Sequence, residues 1–560
     1  MSTTHLQSNP RVPNEITEHE SVIAQLVEGE TAWDRRLIAL SNWVNPILVK
    51  ETRQALKSRQ FSVTLMLLTI VVLGWSLFSI IGMIPSIYYA SNGTMLLMGY
   101  AIILIVPSLI IIPQAAFRSM ASELEDGTFE TLSLSMLSPG HILLGKLSVA
   151  GLQLLIYLSV IAPCIALTYL LRGVTLDVIA MTLLLLSSCS LALSAIAISV
   201  ASFSRNRMQQ VFYSIVLLSA QVVVAFIGGA FLTGIVGYGI IPIEGWISFM
   251  IFLLAVLMYS WLFLRCGGCA IGVASENRSS PVRVPLLVNG LLVAMFSGFF
   301  SVCYGDRNSM SQMLASSNIF LFMHWGIAGS IMMGEYGVIP ARARRSLPSS
   351  RWGRLFLTWL NPGAGPGFIF VVLSFVGSAF ALVLAPWFLV NSTRSNISLQ
   401  LVVFTGALAC YLILYLGTVR LIAMIFLRKI ALGRLIVSFT ITIVLVVLSV
   451  VLTCSLSLAV NDYRTIDFDW YVFPNFFWTL GELFPGNQEK WTSPECLFAV
   501  VGLILTSGIV GFINVLLTAK DVVLLRIETP ERVVQERQKM RQRKSSMDDE
   551  PNELEGLAAE

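Results

Sequence analysis

Charge is what this sequence has least of. Asp, Glu, Lys and Arg make up 12% of its 560 residues, where about a quarter is ordinary for a globular domain. That figure excludes a soluble fold with a charged shell. No Asp or Glu falls in the middle of any long apolar run, whereas proton-driven transporters need an intramembrane carboxylate to titrate. The four His, at 5, 19, 141 and 324, have no metal-site spacing among themselves or with Cys. The eight Cys lie nearly all in or beside apolar runs, where a thiol behaves as a small apolar group, so no disulfide framework is expected. Residues 1–44 lack the short apolar core of a signal peptide. They read as a polar cytoplasmic arm, with the first apolar run serving as an uncleaved insertion signal.

Two chemical motifs are almost present. Gly140, Gly145 and Lys146 approach a phosphate-binding loop, but Leu147 stands where a Ser or Thr must hold magnesium. No strand precedes it, so nucleotide hydrolysis by this chain is not expected. Cys266 and Cys269 have redox-motif spacing at the end of an apolar run, where helix packing is the expected role.

Apolar residues account for 56% of the chain. Runs of 18 or more with few charges read as transmembrane helices. Twelve are expected, over 62–84, 96–117, 147–171, 178–203, 211–234, 246–270, 284–304, 313–334, 367–390, 399–427, 435–460 and 496–518. With both termini inside, the external loops hold only Arg172, Arg307, Arg394, Arg464 and Lys490 of the 36 Lys and Arg. That bias satisfies the positive-inside rule at each alternation. The expected fold is thus an all-α polytopic membrane protein in the cell (inner) membrane, with N and C termini cytoplasmic.

The organisation follows from the loops. Residues 1–44 form the arm, 45–275 a first six-span domain, 276–518 a second, and 519–560 a charged cytoplasmic tail. The internal loop 335–366 follows the second span of its half, as 118–146 does in the first, which predicts a degenerate six-plus-six repeat. Residues 461–495 carry ten aromatics and are expected to form an interfacial aromatic cover on the outer face.

The segment 118–146 is densely polar for so apolar a chain. Ser122 and Glu125 have capping-box spacing, predicting a short helix start. Asp126-Gly127 breaks it, Thr128 restarts a second short helix with Phe129, Leu132 and Met136 on one side, and Ser138-Pro139-Gly140 stops that one. Upstream, Lys50, Arg53, Lys57 and Arg59 interleave with Ile47, Leu48, Leu56 and Phe61, as in a helix lying in the headgroup plane.

Glu123, Glu125, Gly127, Thr128, Glu130, Leu132, then Ser138, Pro139, Ile142, Leu143, Gly145 and Lys146, resemble the loop that permeases of ABC type 2 exporters present to their ATPase. Asp126 departs from that pattern, which often has a basic residue before the Gly. Residues 45–59 resemble the interfacial helix of the same permeases. The resemblance is specific over 45–146, plausible to about residue 275, and beyond that rests on hydropathy.

It implies a membrane-spanning permease subunit, more in the manner of an exporter than an importer. ATP would bind to a separate ATPase subunit, with no cofactor on this chain. The coupling residues would be Glu123, Glu125, Gly127, Thr128, Glu130, Leu132 and Lys146. The partners would be that ATPase and the lipid bilayer, with pairing to a second copy or a second permease chain left open and no nucleic acid involved.

Two other classes remain. A secondary transporter or channel would share the span count. A polytopic membrane transferase would use Asp467 and Asp469, whose Asp-x-Asp pattern resembles the metal site of membrane glycosyltransferases. Within the spans, Gln153, Gln221, Asn289 and His324 are functional candidates by depth. A lone His among apolar residues is nevertheless more often hydrogen-bonded to a neighbouring helix.

Overall fold

A computed structural model describes residues 46–84, 90–127, 138–238, 243–272, 277–304, 307–335, 358–389, 399–426, 434–462, 468–485 and 492–519, with short pieces within 337–353 and 532–542. Every regular element among them is helical, and none is a strand. In lipid no water is at hand for a bare N–H or C=O, and a helix satisfies both within one segment. The many Ser and Thr in these helices turn their hydroxyls back onto their own backbone, as Ser76 does to the Val72 carbonyl at 2.7 Å and Ser187 to Leu183 at 2.6 Å. Hydroxyl caps start several of the helices. Ser58 accepts from the Phe61 N–H, and Ser493 from that of Cys496.

The chain divides into two compact units, 1–240 and 241–560. The first holds α1 (Pro46–Leu56), α2 (Arg59–Gly82), α3 (Gly93–Ile105), α4 (Ile112–Glu125), α5 (Pro139–Leu170), α6 (Leu176–Ser202) and α7 (Arg207–Tyr238). The second holds α8 (Ile243–Ile271), α9 (Ser280–Tyr304), α10 (Arg307–Met332), α11 (Ala364–Leu389), α12 (Leu399–Phe426), α13 (Arg434–Val460), α14 (Phe476–Leu483) and α15 (Pro494–Thr518). The helix at 243–271, placed by sequence in the first half, packs on α9.

Eleven of the described helical spans are long and apolar enough to cross a membrane, with α3 and α4 forming one of them. The expected span at 313–334 is the exception in composition. Its helix, α10, carries Gln312, Ser316, Ser317 and Asn318, and it packs against α9, α11, α12 and α13. Neighbouring helices cover much of α10, so its composition need not be that of a lipid-facing span. Asn318 is buried and donates to the Thr405 hydroxyl on α12 at 3.3 Å. Beside it, Trp325 is fully buried and donates to Ser378 of α11 at 3.2 Å.

The two units share a packing order. In the first, α2 meets α3 and α5; α3 and α4 meet α5, α6 and α7; and α6 meets α5 and α7. In the second, α9 meets α10 and α11; α10 meets α11, α12 and α13; and α12 meets α11 and α13. Counted from the first span of each set, the same pairs are neighbours.

The aromatic loop before α15 is divided: Trp470 and Phe477 are exposed, while other side chains pack into the unit. Phe476, Leu480 and Leu483 of α14 are buried within the second unit. Tyr415 donates to the Pro474 carbonyl at 2.8 Å, and Tyr411 to that of Phe473. Residues 463–467 and 486–491 of this loop lie outside the described residues.

Between α3 and α4 the helix widens into a π turn over Val106–Ile111, where the Ile112 N–H reaches back to the Pro107 carbonyl. Pro113 comes next and has no N–H, so the Ser108 carbonyl loses the donor this register would supply. Ser190 of α6 replaces it, donating to that carbonyl at 2.7 Å. Ser190→Ala should therefore lower stability by about 1–3 kcal/mol, the cost of orphaning a buried acceptor. Pro113→Ala restores an N–H near the same carbonyl, so the double variant should lose less than the Ser190 variant alone. Thermal unfolding of the detergent-solubilised protein measures both, and a strictly additive pair would refute the link.

Candidate functional site

The polar segment that follows α4 is anchored where it leaves and re-enters the bundle. α4 runs unbroken to Glu125, and Ser122 sits inside it, with its hydroxyl bonded to the Ser119 carbonyl at 3.2 Å. The expected capping box at Ser122 and Glu125 does not form, because the helix arriving from the membrane keeps its own backbone bonds through the Asp126 N–H. Gly127 then stops it with φ at +68°, a left-handed turn that glycine adopts without strain. Ser138 and Pro139 begin a helix rather than end one: Ser138 caps α5 and Pro139 occupies its first turn. The short helix expected from Thr128, including Phe129, Glu130, Leu132 and Met136, falls at 128–137, outside the described residues.

At the foot of this segment lies a buried ionic cluster. Lys146, the second-turn lysine of α5, is 2% exposed. Its ammonium donates to Glu51 Oε1, lies 3.0 Å from Glu123 Oε2, and donates to the Ser119 hydroxyl at 2.8 Å. The Ser119 hydroxyl in turn donates to Glu51 Oε2 at 2.9 Å. Glu51, 7% exposed, comes from α1, which lies along α5. One ammonium thus joins α1, the end of α4 and the start of α5. Two carboxylates and a hydroxyl compensate a charge that would be costly to bury alone. Further ties add to it. Gln210 of α7 donates to the Ala121 carbonyl at 3.1 Å, and Arg118 to the Gln60 side chain at 3.3 Å.

Glu123 therefore faces this chain's own lysine. Glu125 is more exposed and lies 3.8 Å from Arg207, whose side chain is mostly in the open, and such a surface pair contributes little. Asp126 and Gly127 are exposed beyond it. Lys50 and Arg53 occupy the open side of α1, while Lys57 and Arg59 fall at the break where Ser58 starts α2, both also exposed. Arg53 borders an apolar groove of about 700 Å³ formed with Leu152, Leu155, Leu158 and Leu191.

The second unit has a corresponding cluster with the signs rearranged. Arg283, fully buried near the start of α9, pairs with Glu335 just after α10. Glu335 also accepts the Gly363 N–H at 3.1 Å, just before α11. The segment between α10 and α11 is thus tied at both ends to the first span of this unit. Another buried guanidinium, that of Arg420, is held by Thr518 at 2.6 Å and the Asn514 carbonyl at 2.9 Å.

Sequence reasoning singled out Lys146 and Glu123 but not Glu51, Arg283, Glu335 or Arg420. The signal for Glu51 was its place as the one acid in a basic helix. Of the in-span polar residues, Gln221 joins α7 to Gln114 of α4 at 3.1 Å, and His324 bonds Tyr259 at 2.9 Å and the Leu286 carbonyl at 3.2 Å. Asp469 caps the turn at Trp470, accepting its N–H at 2.7 Å, while Asp467 lies outside the described residues.

Fold and composition define an all-α, multi-pass membrane protein. No family model, curated protein or solved structure matches the chain.

Lys146→Met should leave Glu51 buried without its cation and destabilise the first unit by roughly 3–5 kcal/mol. Replacing Glu51 by Leu in the same chain should recover part of that loss. Hydrogen exchange over 112–127 is the direct readout, with protection falling in the single variant and returning in the double. Equal protection in wild type and Lys146→Met would show that the cluster anchors nothing.

Proposed function

We propose that this chain is the membrane-spanning permease subunit of an ATP-driven ABC transporter, working as an exporter in the cell membrane with both termini cytoplasmic. The observation that carries the reading is the buried Glu51–Lys146–Glu123 cluster at the foot of 118–146, taken with the resemblance of 45–146 to such permeases. A coupling loop must transmit a push, and a push on a loose loop only bends it. Here the loop leaves and re-enters through a charged brace that also grips α1, so displacement of its tip moves α1, α4 and α5 together.

Division of labour follows within the segment. Glu123 and Lys146 belong to the brace. Glu125, with its weak exposed pair, is free to exchange Arg207 for a basic group on the ATPase, and Gly127 supports the turn that presents it. Thr128, Glu130 and Leu132 would complete the docking surface. Spans α2 to α5 would then shift against their neighbours as the ATPase dimer closes on ATP. Nucleotide chemistry would reside wholly on that partner, and this chain would act as pathway and lever rather than enzyme.

The test is co-purification. The tagged full chain is extracted in detergent with and without ATP, and whatever accompanies it is identified. A stoichiometric ATPase with P-loop and ABC motifs should appear with wild type and fall at least tenfold with Glu125→Lys/Gly127→Pro, a change on the exposed turn that leaves the brace intact. If the chain purifies alone in both conditions, the permease reading fails.

A further inference from the structure

In the first unit, α1 and α6 both pack on α5 and leave an open groove of about 700 Å³ between them, a volume within the range of small-molecule sites. Gly151, Leu155 and Leu158 of α5 form its floor, with Leu48 and Arg53 of α1 on one side and Leu191 of α6 on the other. Gly151 keeps the floor low, since a Cβ there would come within 3.6 Å of the Leu191 side chain.

The groove has a charged end and an apolar end. Glu51 is bonded to Lys146, which sets the neighbouring Arg53 beside the first turns of α5. From Ser148 to Leu158 that helix rises about 15 Å, and beyond Ser148 and Gly151 its groove-facing side chains are all leucine. An amphiphile therefore fits in one orientation, with its polar end at Arg53 and its chain along α5.

The donor at the charged end is the Arg53 guanidinium. Ser148 and Ser187, also on the wall, direct their hydroxyls to the Leu144 and Leu183 carbonyls of their own helices, at 2.8 Å and 2.6 Å. Thr52 Oγ1 is sealed from solvent. Arg53 is exposed, and none of the ion pairs among the described residues involves it. Lys50, one turn earlier on α1, is exposed as well. No acid lines the groove, and the one acid of α1, Glu51, is already engaged by Lys146. Cations at the mouth of an apolar groove match the anionic headgroups that a bilayer surface carries.

We infer that this groove is a binding site for an anionic phospholipid of the leaflet in which α1 lies, with one acyl chain along α5 and the headgroup phosphate on Arg53. A zwitterionic lipid offers the same chain but adds an ammonium that Arg53 and Lys50 repel, so charge sets the selectivity. The bound lipid supports α1 on a side other than the one held by Lys146. The site does not depend on whether an ATPase drives the protein, so it survives failure of the permease reading.

The experiment uses the full chain in phosphatidylcholine nanodiscs with trace amounts of two probes, a phosphatidylglycerol and a phosphatidylcholine that carry the same diazirine-bearing acyl chain. Labelling is mapped by peptide mass. Peptides of α13, whose apolar side chains are largely exposed, serve as the reference for lipid in general contact. Relative to that reference, the phosphatidylglycerol probe should label the 148–158 and 187–191 peptides roughly fivefold more than the phosphatidylcholine probe, the ratio expected for one basic residue at a membrane surface. Arg53→Gln, a change at an exposed position, should bring the two probes level. Gly151→Phe, which fills the groove and keeps Arg53, should reduce both to the α13 level. Equal labelling of the groove by the two probes in the unaltered protein overturns the inference without relying on any variant. A phosphatidylglycerol preference that is as large at α13, or that persists in Arg53→Gln, overturns it as well.

Discussion

A charge or backbone group removed from water must find its partner inside the protein, and in this molecule the partners are specific. Lys146 is the clearest case. Its ammonium is nearly sealed from solvent, and it is tolerable there because Glu51, Glu123 and Ser119 converge on it from two other helices. The same requirement explains the π turn, where Pro113 removes a donor and Ser190 of another helix replaces it. It also explains Arg283 with Glu335, and Arg420 with Thr518 and Asn514. Each departure from a plain apolar helix fastens one span to another.

This makes polar groups the fasteners of the bundle. Lipid tails are as apolar as leucine, so burial of hydrocarbon does little to choose one helix neighbour over another. A buried ion pair or a carbonyl awaiting a donor does choose, because the wrong neighbour leaves it unsatisfied. The pattern fits the common packing order of the two units, in which the first span of each set is tied by charge to the segment between the second and third. Glu51 does this just ahead of α2, and Arg283 does it near the start of α9. Opposite charges serve the same purpose at corresponding places, which hides the correspondence from residue-by-residue comparison.

Asn289 is one of several buried polar residues, Asn318 and Gln221 among them, with one side-chain atom that has no hydrogen-bond partner among the described residues. Gln221 and His324 looked equivalent to it at the level of sequence, as polar residues at membrane depth. Geometry separates His324, whose nitrogens are both engaged, from Gln221 and Asn289, each of which has one amide atom bonded and the other without a partner among the described residues.

Length and hydropathy alone determined the class. Long runs almost free of charge can only be helices where backbone groups lack water, and eleven of the twelve expected spans have the length and composition to cross a membrane. The polar segment between the second and third spans was equally legible, because so many acids stand out against so apolar a chain. What that segment does locally was not. The capping-box spacing at Ser122 matched a pattern that an incoming helix simply overrides, and Ser138-Pro139 fits a helix start as readily as a stop. The pairing of Lys146 with Glu51, 95 residues away, was decided only by the tertiary structure. Sequence spacing shows which side chains share a helix face, but not which distant helix will bring the charge that a buried lysine needs.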